Sequence, residues 1–114
     1  MLETGTKVFI AHRRLYEGDH GRFFVGVVEE YEAGVARIEG HTWLRSGYDG
    51  TYYRKDDLRT KIVPILSGSF IVYQLHTSVH LKSFRIETVG TKTVARADGG
   101  FLMDLSEATL KDAA

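Results

Sequence analysis

Apolar side chains recur along this chain at every second position, and the recurring types are Val, Ile, Phe and Tyr. That spacing puts alternate side chains on one face of an extended strand, and those types suit a pleated, half-buried surface. Thr6 to Leu15 reads as the first strand, with Val8 and Ile10 on one face and Phe9 and Ala11 on the other. A turn at Glu17-Gly18-Asp19-His20-Gly21 follows it. Phe23 to Glu32 is the clearest strand: Phe23, Val25, Val27 and Tyr31 share one parity, and Phe24 and Val28 take the other. Gly26 in its middle predicts a sharp bend or the close approach of another backbone. Ala33-Gly34 supplies a residue that tolerates positive φ, so this strand is expected to pair with Val35 to Glu39 as a hairpin ending at Gly40.

Arg45-Ser46-Gly47-Tyr48-Asp49-Gly50 breaks the alternation and predicts a loop, with a short strand from Tyr52 to Leu58 after it. Lys61 to Leu66 contains Pro64, which has no N–H to give to a ladder and predicts an edge or a strand end. Ser67-Gly68-Ser69 turns the chain. Phe70 to Leu75, Leu81 to Val89, Thr93 to Ala97 and Phe101 to Leu105 then read as strands of a meander, with hairpin signals at Gly90-Thr91-Lys92 and Asp98-Gly99-Gly100. Asp104 and Glu107 stand at capping-box spacing, so Ser106 to Ala113 is expected to form one short helix or to fray. The pattern predicts an all-β fold, a small bent barrel or a sandwich of antiparallel hairpins with a C-terminal meander. At 114 residues the chain suits a single domain, residues 1–114, with a possible internal seam at 66–69.

Composition supports a packed core, because 43% of residues are apolar and only 26% charged. The sequence contains no cysteine, which excludes disulfides, thiolate metal sites and cysteine nucleophiles and suits a reducing compartment. Met1 to Thr6 shows no basic stretch followed by an apolar run, and no stretch of about 18 apolar residues occurs; a cytoplasmic protein that does not span a membrane is expected. The 15 basic and 15 acidic side chains cancel, so no long-range field of the whole molecule draws in nucleic acid. Their distribution is uneven. Residues 41–97 carry nine Lys and Arg against four acids, and the balancing carboxylates fall mainly in Glu29 to Glu39 and Asp98 to Asp112.

That basic stretch contains the main binding candidate. Trp43, Tyr48, Tyr52 and Tyr53 interleave with Arg45, Arg54, Lys55 and Arg59 around a glycine-containing loop. Aromatic faces stack on bases while cations neutralise phosphates, so Trp43, Arg45, Tyr52, Tyr53, Arg54 and Lys55 are the expected ligand contacts. The same pattern also suits a core in which Trp43 and one or two tyrosines are buried and the cations stand in solvent.

Gly21-Arg22-Phe23-Phe24-Val25-Gly26-Val27-Val28, then Tyr31-Glu32 before a turn, Val35 to Ile38, and later Tyr53-Arg54-Lys55-Asp56-Asp57-Leu58 resemble the strand grammar of Sm-like small β-barrels. The resemblance covers under half of the chain. It implies Arg54 as a contact to single-stranded RNA and assembly into a ring. The chain departs from the family pattern in lacking an Asn in the hairpin, a Gly after Arg54 and a clear N-terminal helix.

Histidines stand at positions 12, 20, 41, 76 and 80. His76 and His80 would share a helix face suited to a metal, but on a strand they lie roughly 13 Å apart at about 3.3 Å per residue, so no metal or other cofactor is expected. Asp19, His20, His41, Asp49, Asp56 and Asp57 are the remaining acid–base candidates, and no motif announces their convergence. A meander leaves strand edges open to a second copy, which predicts a homo-oligomer. The sequence thus points to a non-enzymatic binding or assembly module, with a protein partner or a second copy preferred to nucleic acid. An Sm-like reader of single-stranded RNA is the alternative, followed by a small metal-dependent enzyme built on the histidines.

Overall fold

Strand β1 (Lys7–His12) is apolar at four successive positions, and Val8, Phe9, Ile10 and Ala11 are all buried, so the strand has a core on each side. A computed structural model describes residues 2–12, 22–90 and 92–105. After β1 come β2 (Arg22–Glu32), β3 (Val35–Arg45), β4 (Tyr52–Arg54), β5 (Arg59–Pro64) and β6 (Phe70–Leu75). A 3-10 turn, Leu81–Ser83, precedes β7 (Arg85–Val89), β8 (Lys92–Ala97) and β9 (Phe101–Asp104). The expected turn at 17–21 and the expected helix at 106–113 lie outside the described residues.

Six strands form one antiparallel sheet in the order β4-β3-β2-β1-β6, with β5 also paired to β3. The outer edge of β3 is shared: Val35 to Gly40 faces β5, and Trp43 to Arg45 faces β4. Strands β7, β8 and β9 form a second, three-stranded sheet. The fold is therefore all-β, as the alternation predicted. It is a bent sheet stacked on a smaller one rather than a closed barrel, since β5 and β6 do not pair.

The two faces of the large sheet explain why β1 is apolar throughout. Val8, Ile10, Phe24, Val28, Ala36, Ile38 and Val63 make one core, closed by Leu2, Tyr31, Ile65, Phe70 and Val72. None of these comes from the second sheet, so this face is the inside of the curl. On the outer, convex face, Phe9, Ala11, Phe23, Val25, Trp43 and Leu75 meet Phe84, Ile86, Ala95, Ala97 and Leu105. Phe9 stacks on Phe23 at 5.2 Å between centroids, and Phe84 joins the layers with its ring 5.6 Å from Phe9 and 6.4 Å from Trp43. Each such buried ring contributes about 1.5–3 kcal/mol relative to an exposed one. Lys7 ties the link between the sheets, donating from Nζ to the carbonyls of Thr77 at 2.7 Å and Val79 at 2.6 Å.

The long β2–β3 hairpin takes its shape from two glycines. Gly26 lies directly opposite Gly40, and a Cβ on either would overlap the backbone of the facing strand. This is the close approach that Gly26 predicted. Gly40 does not end the pairing, however, because β3 continues to Arg45 and two residues without Cβ let the strands bend together at that point. A register shift between Val28 and Glu30 turns the tip of β2 over. Tyr31 consequently packs with Phe24 and Val28, not with Phe23 and Val25, because the extra residue in the bulge reverses the parity beyond it.

Two further expectations change for reasons of pairing. Phe70 to Leu75 does not join the meander but lies beside β1, in register from Lys7↔Leu75 to His12↔Phe70. The passage between sheets accordingly falls after Leu75 and not at 66–69. Tyr52 to Leu58 is a strand only to Arg54; Asp56 and Asp57 bend the chain into β5, which ends at Pro64 on an edge as the proline required.

Candidate functional site

Directly opposite residues in an antiparallel pair project to the same side. Arg22 faces Leu44 across β2–β3, and Leu44 faces Tyr53 across β3–β4, giving one row on the concave side. Phe24 and Thr42 form the next row, and the Lys55 amide donates to the Thr42 carbonyl at 2.8 Å, which brings the start of the 55–58 bend over it. Arg59 and Lys61 have the parity of buried Val63 and point to the same concave side from β5. Between them opens a cleft of about 230 Å³ lined by Arg22, Thr42, Leu44, Lys55, Asp57, Arg59 and Lys61.

Four cations and one carboxylate line this space, and the carboxylate is already engaged. Asp57 accepts a 2.7 Å bond from Arg59 Nε, and that bond is the main cause of its lowered pKa. The Lys61 ammonium, 4.7 Å from the centroid of the Phe24 ring, has its pKa depressed by burial first and then by Arg22, Arg59 and Lys55. His12 closes the neighbourhood on β1, with its ring edge-on to Phe70 at 4.6 Å. Burial, followed by the charges of Arg22 and Lys61, lowers its pKa from 6.5, disfavouring the charged imidazolium. Crowded like charges beside apolar walls form a preset receiver for an anion, which relieves their mutual repulsion on entry. A volume of about 230 Å³ holds a phosphate or a carboxylate while the rest of its carrier stays outside.

The structure divides the residues singled out from the sequence. Lys55 lines the cleft, and Tyr53, 48% exposed, flanks it beside Leu44. Trp43 is only 7% exposed and belongs to the core between the sheets, with Tyr52 packed against the same core and its ring 5.8 Å from Phe23. Arg54 faces Trp43 and so takes the opposite side of β4 from Tyr53. Arg45 turns to the loop, where its Nε donates to the Gly50 carbonyl at 3.3 Å. Tyr48, 98% exposed, marks the loop tip. The interleaved aromatics and cations therefore do not form one surface: alternation distributes them over two.

The acid–base candidates stay apart. Asp49 braces its own loop, accepting from the Thr51 amide at 3.1 Å and hydroxyl at 2.7 Å, and this holds its pKa below the usual carboxylate range. His41 pairs across from Val25, remote in the sheet from His76, which bonds Ser78 Oγ at 2.7 Å. Asp19 and His20 lie outside the described residues. Among the described residues no three His, Asp or Glu side chains converge as a metal would require. No helix among them is long and apolar enough to cross a membrane.

Arg22, Thr42 and Lys61 were not visible as site residues from sequence alone. They stand 20 and 19 positions apart, and only the β2–β3–β5 pairing unites them. A partial signal existed in Lys61, two residues before an apolar Val63 of the same parity. No protein-family model matches the chain, and no curated protein and no solved structure matches it.

Proposed function

We propose that the protein is a non-enzymatic, cytoplasmic binding module whose concave cleft receives an anionic group, a phosphate above all. One observation carries this reading: Arg22, Lys55, Arg59 and Lys61 line one small space whose single carboxylate, Asp57, is bonded to Arg59. A second observation favours single-stranded nucleic acid as the carrier of that phosphate. Tyr53 stands exposed in the same row as Arg22, offering a ring face to a base beside a seat for its phosphate. The chain's neutrality confines the attraction to this patch, so the affinity is modest and depends on contact.

Fluorescence anisotropy of a labelled oligouridylate tests the proposal. Affinity is expected at about 50 mM salt and to weaken steeply by about 200 mM, with a log–log slope of about −2 to −3 for three or four phosphate contacts on a single strand. Lys55→Glu with Arg59→Glu is expected to lower affinity at least tenfold, and Tyr53→Ala by about tenfold, in line with the energy of one base–aromatic stack. Absence of binding at about 50 mM salt overturns the nucleic-acid reading. Loss on Arg54→Ala with no effect of the Lys55/Arg59 pair would instead move the site to the position implied by the Sm-like pattern.

A further inference from the structure

The convex face of the long hairpin is covered at one end only. Around Phe23, Val25 and Trp43 the second sheet closes it. Toward the tip, the rows Glu30-Arg37-Ile62 and Glu32-Val35-Pro64 continue the same face, and all six residues are exposed. Ile62 is 72% exposed and Val35 40%, on ordered strands where such side chains are ordinarily buried. A shallow groove of about 160 Å³ lies among Glu30, Glu32, Val35, Arg37 and Ile62. Glu29, Glu30, Glu32 and Glu39 outnumber Arg37 here, and Arg37 is itself engaged by Glu30 at 2.8 Å.

This tip is the counterpart of the cleft, which lies on the opposite face of the same strands and runs from Lys61 toward their other end. It offers an apolar centre with an acidic rim; the cleft offers a cationic rim with Leu58 and Tyr53 exposed beside it, at 57% and 48%. The two patches open on opposite faces of the sheet, Lys61 pointing to the concave side and its neighbour Ile62 to the convex one, so a partner reaches each separately. A partner for the tip must present cations beside apolar side chains, and this chain carries that surface itself.

We infer that the hairpin tip of one copy docks against the cationic cleft of the next, head to tail. Ile62 and Val35 meet Leu58 and Tyr53, while Glu30 and Glu32 reach Lys55 and Arg59. The two patches differ, so the contact is heterologous, and each added copy leaves one tip and one cleft free; the assembly is a ring or an open chain. The inference rests on the cleft as a receiver of anions, here carboxylates, and an oligonucleotide competes with the docked tip.

Sedimentation velocity with two variants tests it. Glu30→Lys with Glu32→Lys spoils the tip, and Lys55→Glu with Arg59→Glu spoils the cleft; all four side chains are exposed, and circular dichroism checks that the strands persist. Each variant alone is expected to be monomeric, and an equimolar mixture to form a 1:1 heterodimer through the one intact tip and the one intact cleft. Ile62→Asp, at a position that contributes little to the core, is expected to reproduce the tip defect. A wild-type chain that stays monomeric at low salt, variants that assemble alone, or a mixture that stays monomeric each overturn the docking. Oligouridylate binding by a monomeric wild type leaves the cleft standing and removes only the docking; a 1:1 heterodimer together with no oligouridylate binding by the tip variant alone, whose cleft is intact and free, upholds the docking and removes the nucleic-acid ligand.

Discussion

His12 ends β1 with its ring edge against Phe70, and burial, then Arg22, then Lys61 lower its pKa from 6.5. The unfolded chain carries none of these burdens and takes up its proton near pH 6.5. Between the two values the unfolded state binds more protons than the folded one, so stability rises with pH across that window. The contribution is fully present above pH 6.5 and is lost as the pH falls through 6.5 toward the folded value. The melting temperature is expected to drop on acidification below pH 6.5, and to drop less in His12→Gln; equal slopes for the two proteins would contradict this placement of His12. At this scale sequence informs unevenly. Trp43 and Tyr53 are both aromatic residues of one basic segment, yet one is core and the other surface, because a single step in parity separates the two faces of a sheet.

Among the elements, the β2–β3 hairpin governs the shape of the site, since its bend brings β5 round to face Arg22 from across Thr42. The bend rests on the Gly26–Gly40 pair, where either Cβ would meet backbone and not a flexible side chain. Gly40→Ala is expected to cost about 3 kcal/mol in urea denaturation, the upper range for overpacking a filled site. Gly68→Ala, with nothing within 4 Å of the added carbon, is expected to be near neutral; similar losses at the two positions would refute the close approach. Period-two alternation made Val8 and Ile10 legible against Phe9 and Ala11, and the Ala33-Gly34 turn legible as a hairpin. It did not show the bulge after Val28, which reverses Tyr31, nor that both turn residues take positive φ, 50° for Ala33 and 83° for Gly34. Nor did it show that Phe70–Leu75 returns to β1, because an edge-to-edge pairing over some sixty residues leaves no local trace in the pattern.

For the whole molecule, the equal numbers of acids and bases conceal an uneven layout. Cations collect at one end of the curled sheet and carboxylates at the tip of its longest hairpin. The basic bias of residues 41–97 was legible, and it includes Lys55, Arg59 and Lys61; Arg22 was not, since it enters the cleft only through the register of β2 against β3. A core on each face of one sheet fixes these side chains where they repel one another, so the cleft gains by admitting an anion. Nitrogen-15 chemical-shift mapping during titration with oligouridylate at low salt addresses this claim most directly. Shifts are expected to concentrate at Arg22, Thr42, Tyr53, Lys55, Arg59 and Lys61 and to reverse on adding salt. Shifts scattered over the second sheet, or an unchanged spectrum, would contradict it.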